Sequence, residues 1–176
     1  QRTIAVSMME FPADGYDVAS LRGAGTDTAF ADALVHELEK SGVRVLRNEY
    51  VDLSIDGEPL RIVGVDDAWA GMADPPAVPP TDAFTVYLIH EPQCRAAWDG
   101  DLILSGHTHG GQFIVPFLSQ INNRGIVELF GFQHRDGPPT YITRGICGSS
   151  VAGVDLRFNS RPEIVIINPA NGTAPA

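Results

Sequence analysis

The chain has 176 residues, of which 44% are hydrophobic and 19% charged, with a formal net charge of −10. That size suits one domain with a single core, and the composition lies far from the disordered class. The acidic balance excludes nucleic acid and anionic lipid as bulk partners, and no apolar stretch reaches the roughly 20 residues of a membrane span. Most of the surplus carboxylate reads as solvated surface, with a share available to attend cations.

In chain order, RTIAV (2–6) is expected as a short strand. TDTAFADALVHELEKSG reads as a helix, with Thr26 or Asp27 as N-cap, Phe30, Leu34 and Leu38 as its buried stripe, and Gly42 as its stop. His36 lies off that stripe and reads as a surface residue. VRVL (43–46) reads as a strand, and YVDLSIDGEPLRIVGV as a hairpin turning at Asp56-Gly57. GMADPPAVPPT (71–81), with four prolines, is a surface connection. FTVYLIH (84–90) and DLILSG (101–106) are continuous apolar runs of the kind buried on both faces of a sheet. YITRGI (141–146) and EIVIINP (163–169) are further strand candidates, and NGTAPA (171–176) is expected as a flexible tail. The sum is an α/β or α+β chain, strand-rich, with mixed pairing, forming one domain over residues 1–170. Cys94 and Cys147, far apart in the sequence, read as free thiols buried in whole or part. Gln1 opens the chain with no initiator methionine, which reads as processing or truncation upstream. The compartment stays open between cytoplasmic and exported.

The chemistry concentrates where two strands end in histidine. LIH closes at His90, and LILSG leads into His107 and His109. Ligands commonly bind at the carboxyl ends of strands in α/β folds, and neutral imidazole is the commonest metal ligand. Gly106, Thr108, Gly110 and Gly111 shape the loop around these histidines. Asp27, Asp66, Asp67 and Glu91 are the carboxylates within reach in sequence, each also readable as a turn, cap or surface residue. His134, in FGFQHRDG, reads as a polar loop residue.

SGHTHGGQ closely resembles the last motif of the calcineurin-like metallophosphoesterases, in the GHTHGGQ form of a bacterial branch. YLIHEP resembles the strand-histidine motif before it, and GVRVLRNE, RIVGVDDAW and the stretch ending RPEIVIINP extend the likeness over residues 26–168. The resemblance implies a metallophosphoesterase-like fold of mixed sheet layers with flanking helices, here shortened. It implies hydrolysis of phosphomonoesters or phosphodiesters by metal-activated water at a dinuclear site. His90 and His107 would hold one divalent cation, manganese, iron, zinc or magnesium, and His109 the other. The family's N-terminal Asp-x-His, Gly-Asp and Gly-Asn-His motifs are not found in the N-terminal half of the chain; setting GTDTAFAD (25–32) on the last puts Thr26 at its Asn and Asp27 at its His.

Three neutral imidazoles cannot hold two dications together, since these repel by roughly 16 kcal/mol about 4 Å apart at an effective dielectric near 20. At most one tightly held metal per chain is therefore expected unless carboxylates arrive from elsewhere in the chain or from a partner. A shortened domain that has lost a layer exposes an apolar sheet face, so a homodimer or higher oligomer is expected. Two alternatives accompany this reading. One is a non-catalytic or single-metal relic acting as an oligomerising module; the other is a fragment of a longer phosphoesterase.

Overall fold

The computed structural model describes residues 28–134, 137–147, 150–151, 154–155 and 157–167. The expected strand at 2–6, the caps Thr26 and Asp27, and the tail 171–176 lie outside them. The first helix, α1 (Thr28–Lys40), is followed by β1 (Glu49–Ile55), β2 (Glu58–Gly64), β3 (Phe84–Leu88) and β4 (Leu102–Ser105). A short helix, α2 (Pro116–Asn123), precedes β5 (Gly131–Gln133) and β6 (Thr140–Ile142), and two-residue strands β7 (Ser150–Val151) and β8 (Val154–Asp155) pair with each other. β1 to β6 form one mixed sheet in the order β1-β2-β3-β4-β6-β5. β2, β3, β4 and β6 run parallel, while β1 and β5 are antiparallel edges. The strand-rich mixed α/β architecture is the one expected. None of the described helices is long and apolar enough to cross a membrane.

The β1–β2 hairpin follows from its turn: Asp56 and Gly57 have φ of 53° and 88°, the left-handed pair that matches strand twist in a two-residue loop. Its register sets Val51 opposite Ile62 and Leu53 opposite Leu60, so one face of both strands is apolar. The parallel register continues that face through Val86 and Leu88 of β3 to Leu102 and Leu104 of β4.

The opposite face holds the core. Val63, Tyr87 and Ile103 are buried there with Val65 and Ile89, and the segment after β2 lays Ala68 and Ala73 over them, joined by Cys94. Trp98 stacks on Tyr87 with centroids 4.8 Å apart. The first face is partly open. Leu53, Ile55, Phe84 and Leu88 are between 36% and 49% exposed while Val86 and Leu102 are buried, and a groove of about 710 Å³ runs along it from Arg44 and Leu46 to His90, Gly106 and Thr143. The central strands are thus apolar on both sides, as expected, but among the described residues the first side is covered only in part.

Several expectations are corrected. Phe30, Leu34 and Leu38 do not form a buried stripe; they are 69%, 51% and 37% exposed, and α1 has no buried residue. Asp32 of the helix accepts from Arg47, in the segment leading to β1, at 2.7 Å. Residues 43–46 are not a strand. After Gly42 turns the chain with φ 84°, Leu46 crosses close over β2, where a Cβ on Gly64 would sit 2.6 Å from the Leu46 carbonyl oxygen. That crossing packs backbone on backbone and leaves no ladder to form. Residues 163–167 are not a strand either: Glu163 bonds back to the Gly145 carbonyl, and Ile164 and Ile166, 84% and 81% exposed, find no sheet edge. The strand expected at 141–146 is Thr140–Ile142. Both cysteines are free; Cys94 is buried but Cys147 is exposed.

Candidate metal centre

All the residues singled out in the sequence around the two histidine motifs follow the carboxyl ends of parallel strands. The β3–β4 ladder continues past the strands proper, with Ile89 N–H to the Leu104 carbonyl and Gly106 N–H to that of His90, 3.1 and 3.0 Å. This fixes His90 beside the start of the GHTHGG loop. The His90 and His107 rings meet edge to face with centroids 5.2 Å apart.

Glu91 joins them. One donor atom from each of His90, Glu91 and His107 lies within 4.8 Å of the others, which is cation-sized spacing. Glu91 is 1% exposed, an unusual place for a carboxylate without a partner. Its Oε2 accepts the Ala68 N–H at 3.3 Å, with the Trp69 N–H and its own also directed at it. These do not offset the burial: desolvation, then the neighbouring Asp67 charge, push the Glu91 carboxyl up to about 7. Desolvation pushes His107 down to about 4, helped by His90 and His109 and opposed by Asp67. His90 opens to solvent on one side, yet desolvation lowers it too. Both imidazoles are therefore neutral at pH 7 with a lone pair to offer. The donor set fits a divalent cation, whose charge would balance the ionised carboxylate of Glu91.

His109 stands outside this group. Its Nδ1 lies 2.7 Å from the Cys147 carbonyl oxygen, which the Arg157 guanidinium also contacts. Donation from Nδ1 to that carbonyl leaves the Nε2 lone pair available, the arrangement commonly found behind a metal-ligating imidazole. The Ser160 hydroxyl, fully buried, donates to the His109 carbonyl at 2.6 Å.

The loop itself is strained. His107 and His109 have φ of 66° and 50°, a region that costs a non-glycine residue of order 1 kcal/mol or more and is tolerated chiefly at functional positions. Thr108 holds the turn from both sides, accepting the Gly110 N–H at 3.2 Å and donating to the Leu129 carbonyl at 2.6 Å. Gly110, with φ 64°, is required sterically as well: a Cβ there would lie 2.6 Å from both Arg144 Cγ and Ser160 Oγ. Gly111 sits beside it, while a Cβ on Gly106 would meet His90 at an ordinary 3.7 Å, so Gly106 has no such need.

The other expected carboxylates divide. Asp66 accepts from Arg47 Nε at 2.8 Å and so belongs to the ion pair that anchors the start of β1. Asp67 is exposed, bonds the Ala70 N–H at 2.7 Å, and exerts its charge on all three residues of the group. Asp27 lies outside the described residues, and His134 is exposed and stacked on Phe132. Sequence reasoning missed Asn122, buried at the end of α2, whose side chain binds the backbone of Leu129 and Phe130 and so backs the Thr108 anchor. It also missed Trp69, whose ring meets that of His107 at 4.3 Å. Pro116 at the head of α2 and Gly125 just past it were the signal for that helix.

Known proteins share this arrangement of sequence. Over 140 residues the chain is 32% identical to phosphodiesterase YaeI of Escherichia coli, covering 74% of this chain and 48% of the relative. Over 134 residues it is 33% identical to the uncharacterized metallophosphoesterase YkuE of Bacillus subtilis, covering 71% and 46%. It is 30% identical over 156 residues to UDP-2,3-diacylglucosamine pyrophosphatase LpxG of Chlamydia trachomatis, covering 76% and 44%. The chain is similar to metallophosphoesterases. It spans about half the length of these relatives. No family model matches it, and no solved structure does.

Proposed function

We propose that this chain is part of a calcineurin-like metallophosphoesterase that hydrolyses phosphomonoesters or phosphodiesters. The observation that carries the reading is the convergence of His90, Glu91 and His107 within 4.8 Å at the end of two parallel strands. Bound there, a divalent cation would supply charge to the phosphoryl oxygens and acidify water. His90 and His107 would contribute neutral nitrogens and Glu91 the compensating charge. Two nitrogens and one carboxylate favour manganese, iron or zinc over magnesium, which prefers oxygen ligands. His109, with Nε2 free and Asp67 in the neighbourhood, would begin a second cation position. A full dinuclear centre needs further carboxylates from a partner chain or from the additional length that the relatives possess. The names of those relatives, a phosphodiesterase and a pyrophosphatase among them, support cleavage of a phosphorus–oxygen bond as the reaction.

The test is metal content by elemental analysis on protein purified without chelator, followed by hydrolysis of bis(p-nitrophenyl) phosphate with and without manganese. Bound cation and cation-dependent release of nitrophenol are expected. Protein that takes up no cation even from a manganese, iron or zinc solution would refute the reading and leave a relic of the fold.

The open apolar sheet face supports a second inference, that the chain works in association, as a homo-oligomer or with the remainder of a longer polypeptide. Light scattering at micromolar concentration should then give a mass above 18.9 kDa. A clean monomer would count against self-association.

A further inference from the structure

We propose that Trp69 is an aromatic platform at the metal centre, against which an uncharged, planar leaving group of the phosphoester substrate packs. The proposal rests on the phosphoesterase reading and narrows its substrate class. The two tryptophans of the chain are placed very differently. Trp98 is part of the core, stacked parallel on Tyr87. Trp69 remains 39% exposed on the turn that follows β2, with its ring in edge contact with His107, 66° between planes. A large apolar ring left partly in water on a turn gains little stability from its position, but beside a candidate ligand its exposed part is within reach of a group held by the cation.

The turn is built to keep it there. Asp67 Oδ1 caps the Ala70 N–H, Gly71 N–H bonds the Ala68 carbonyl, and Met72 N–H bonds the Asp67 carbonyl. The buried Glu91 carboxylate holds the Ala68 N–H from below. The platform and the cation-binding group are thus joined through one side chain, so the distance from a bound phosphoryl group to the indole is set by the fold. Electrostatics select the partner. Asp67 is exposed two residues before Trp69 and the whole chain is acidic, which disfavours a second anionic group on this side. An uncharged aromatic ring meets no such opposition, and stacking on tryptophan tolerates any planar π-system.

The full chain, loaded with manganese, is titrated calorimetrically with phenylphosphonate and with methylphosphonate, and manganese binding is measured separately. Phenylphosphonate should bind about tenfold tighter than methylphosphonate. Trp69→Ala should bring that ratio close to one while leaving the affinities for manganese and methylphosphonate unchanged, and Trp69→Phe should keep most of the preference. A phenyl preference that survives Trp69→Ala, or none in the unaltered chain, overturns the platform and leaves the phosphoesterase reading standing. Loss of manganese affinity in Trp69→Ala would make the ring a support for His107 and overturn it as well. If the manganese-loaded chain binds neither phosphonate, both readings fail together.

Discussion

Replacing His107 with alanine is expected to weaken divalent-cation binding by at least about a hundredfold without unfolding the protein, more than losing a hydrogen-bond partner behind a ligand usually costs. His107 is one of three donors in the group and the one between His90, Trp69 and the strained loop. Its removal leaves one imidazole and a carboxylate, too few to displace water from a cation. The fold should survive, because the Thr108 and Ser160 hydrogen bonds that shape the loop do not involve the His107 side chain. His109→Ala should cost less for the first cation, its ring being outside the group. His36→Ala, on the exposed surface of α1, should cost nothing. Calorimetric titration with manganese, paired with thermal melts, checks all three. Undiminished affinity in His107→Ala would remove the residue from the centre.

The second large effect is on pH. Cation affinity should climb about tenfold per pH unit between pH 5 and 7 and level off above, because one proton must leave the site for each cation bound. That proton is on Glu91, whose carboxyl is pushed up to about 7 by burial and by Asp67. His107, pushed down to about 4, is already neutral across this range and adds no slope. A midpoint near 6.5 that persists in Glu91→Gln would assign the proton to a histidine instead. The cation-free protein carries the corresponding stability signature. Glu91 binds its proton more tightly folded than unfolded, so its contribution is present below its ordinary 4.5 and lost as pH rises through about 7. His107 has the opposite sign: its contribution is present above its ordinary 6.5 and lost as pH falls through about 4. The two slopes oppose one another in the overlapping range, so Glu91→Gln should expose a rise in melting temperature with pH that the unaltered protein lacks.

Much of this was determined by local pattern. The Asp56-Gly57 turn and the apolar alternation around it dictated the hairpin, since left-handed φ at both positions and a period-two sequence pattern need only neighbouring residues. The apolar runs at 84–88 and 102–105 became adjacent parallel strands, and a strand that ends in histidine delivers that histidine to the sheet's carboxyl edge wherever the sheet is placed. His90 and His107 were legible for that reason.

What pattern could not determine was partnership across the fold. Glu91 read as one of several acids with an ordinary surface alternative; only the packing of Ala68 and Trp69 above it, after a return of the chain from β2, buries its carboxylate between two imidazoles. His109 sat in the same motif as His107 but turns to the carbonyl of Cys147, a contact 38 residues away that no spacing rule contains. The stripe of α1 and the run at 163–167 carried apolar residues in the right rhythm, yet rhythm states only that a side chain can be buried. Whether it is buried depends on a facing layer, and the described residues provide none for Leu34, Ile164 or Ile166. Sequence determined the hairpin, the central strands and the edge on which the candidate ligands lie; the tertiary structure decided which donors face one another, because burial and donor geometry are properties of surfaces brought together from distant parts of the chain.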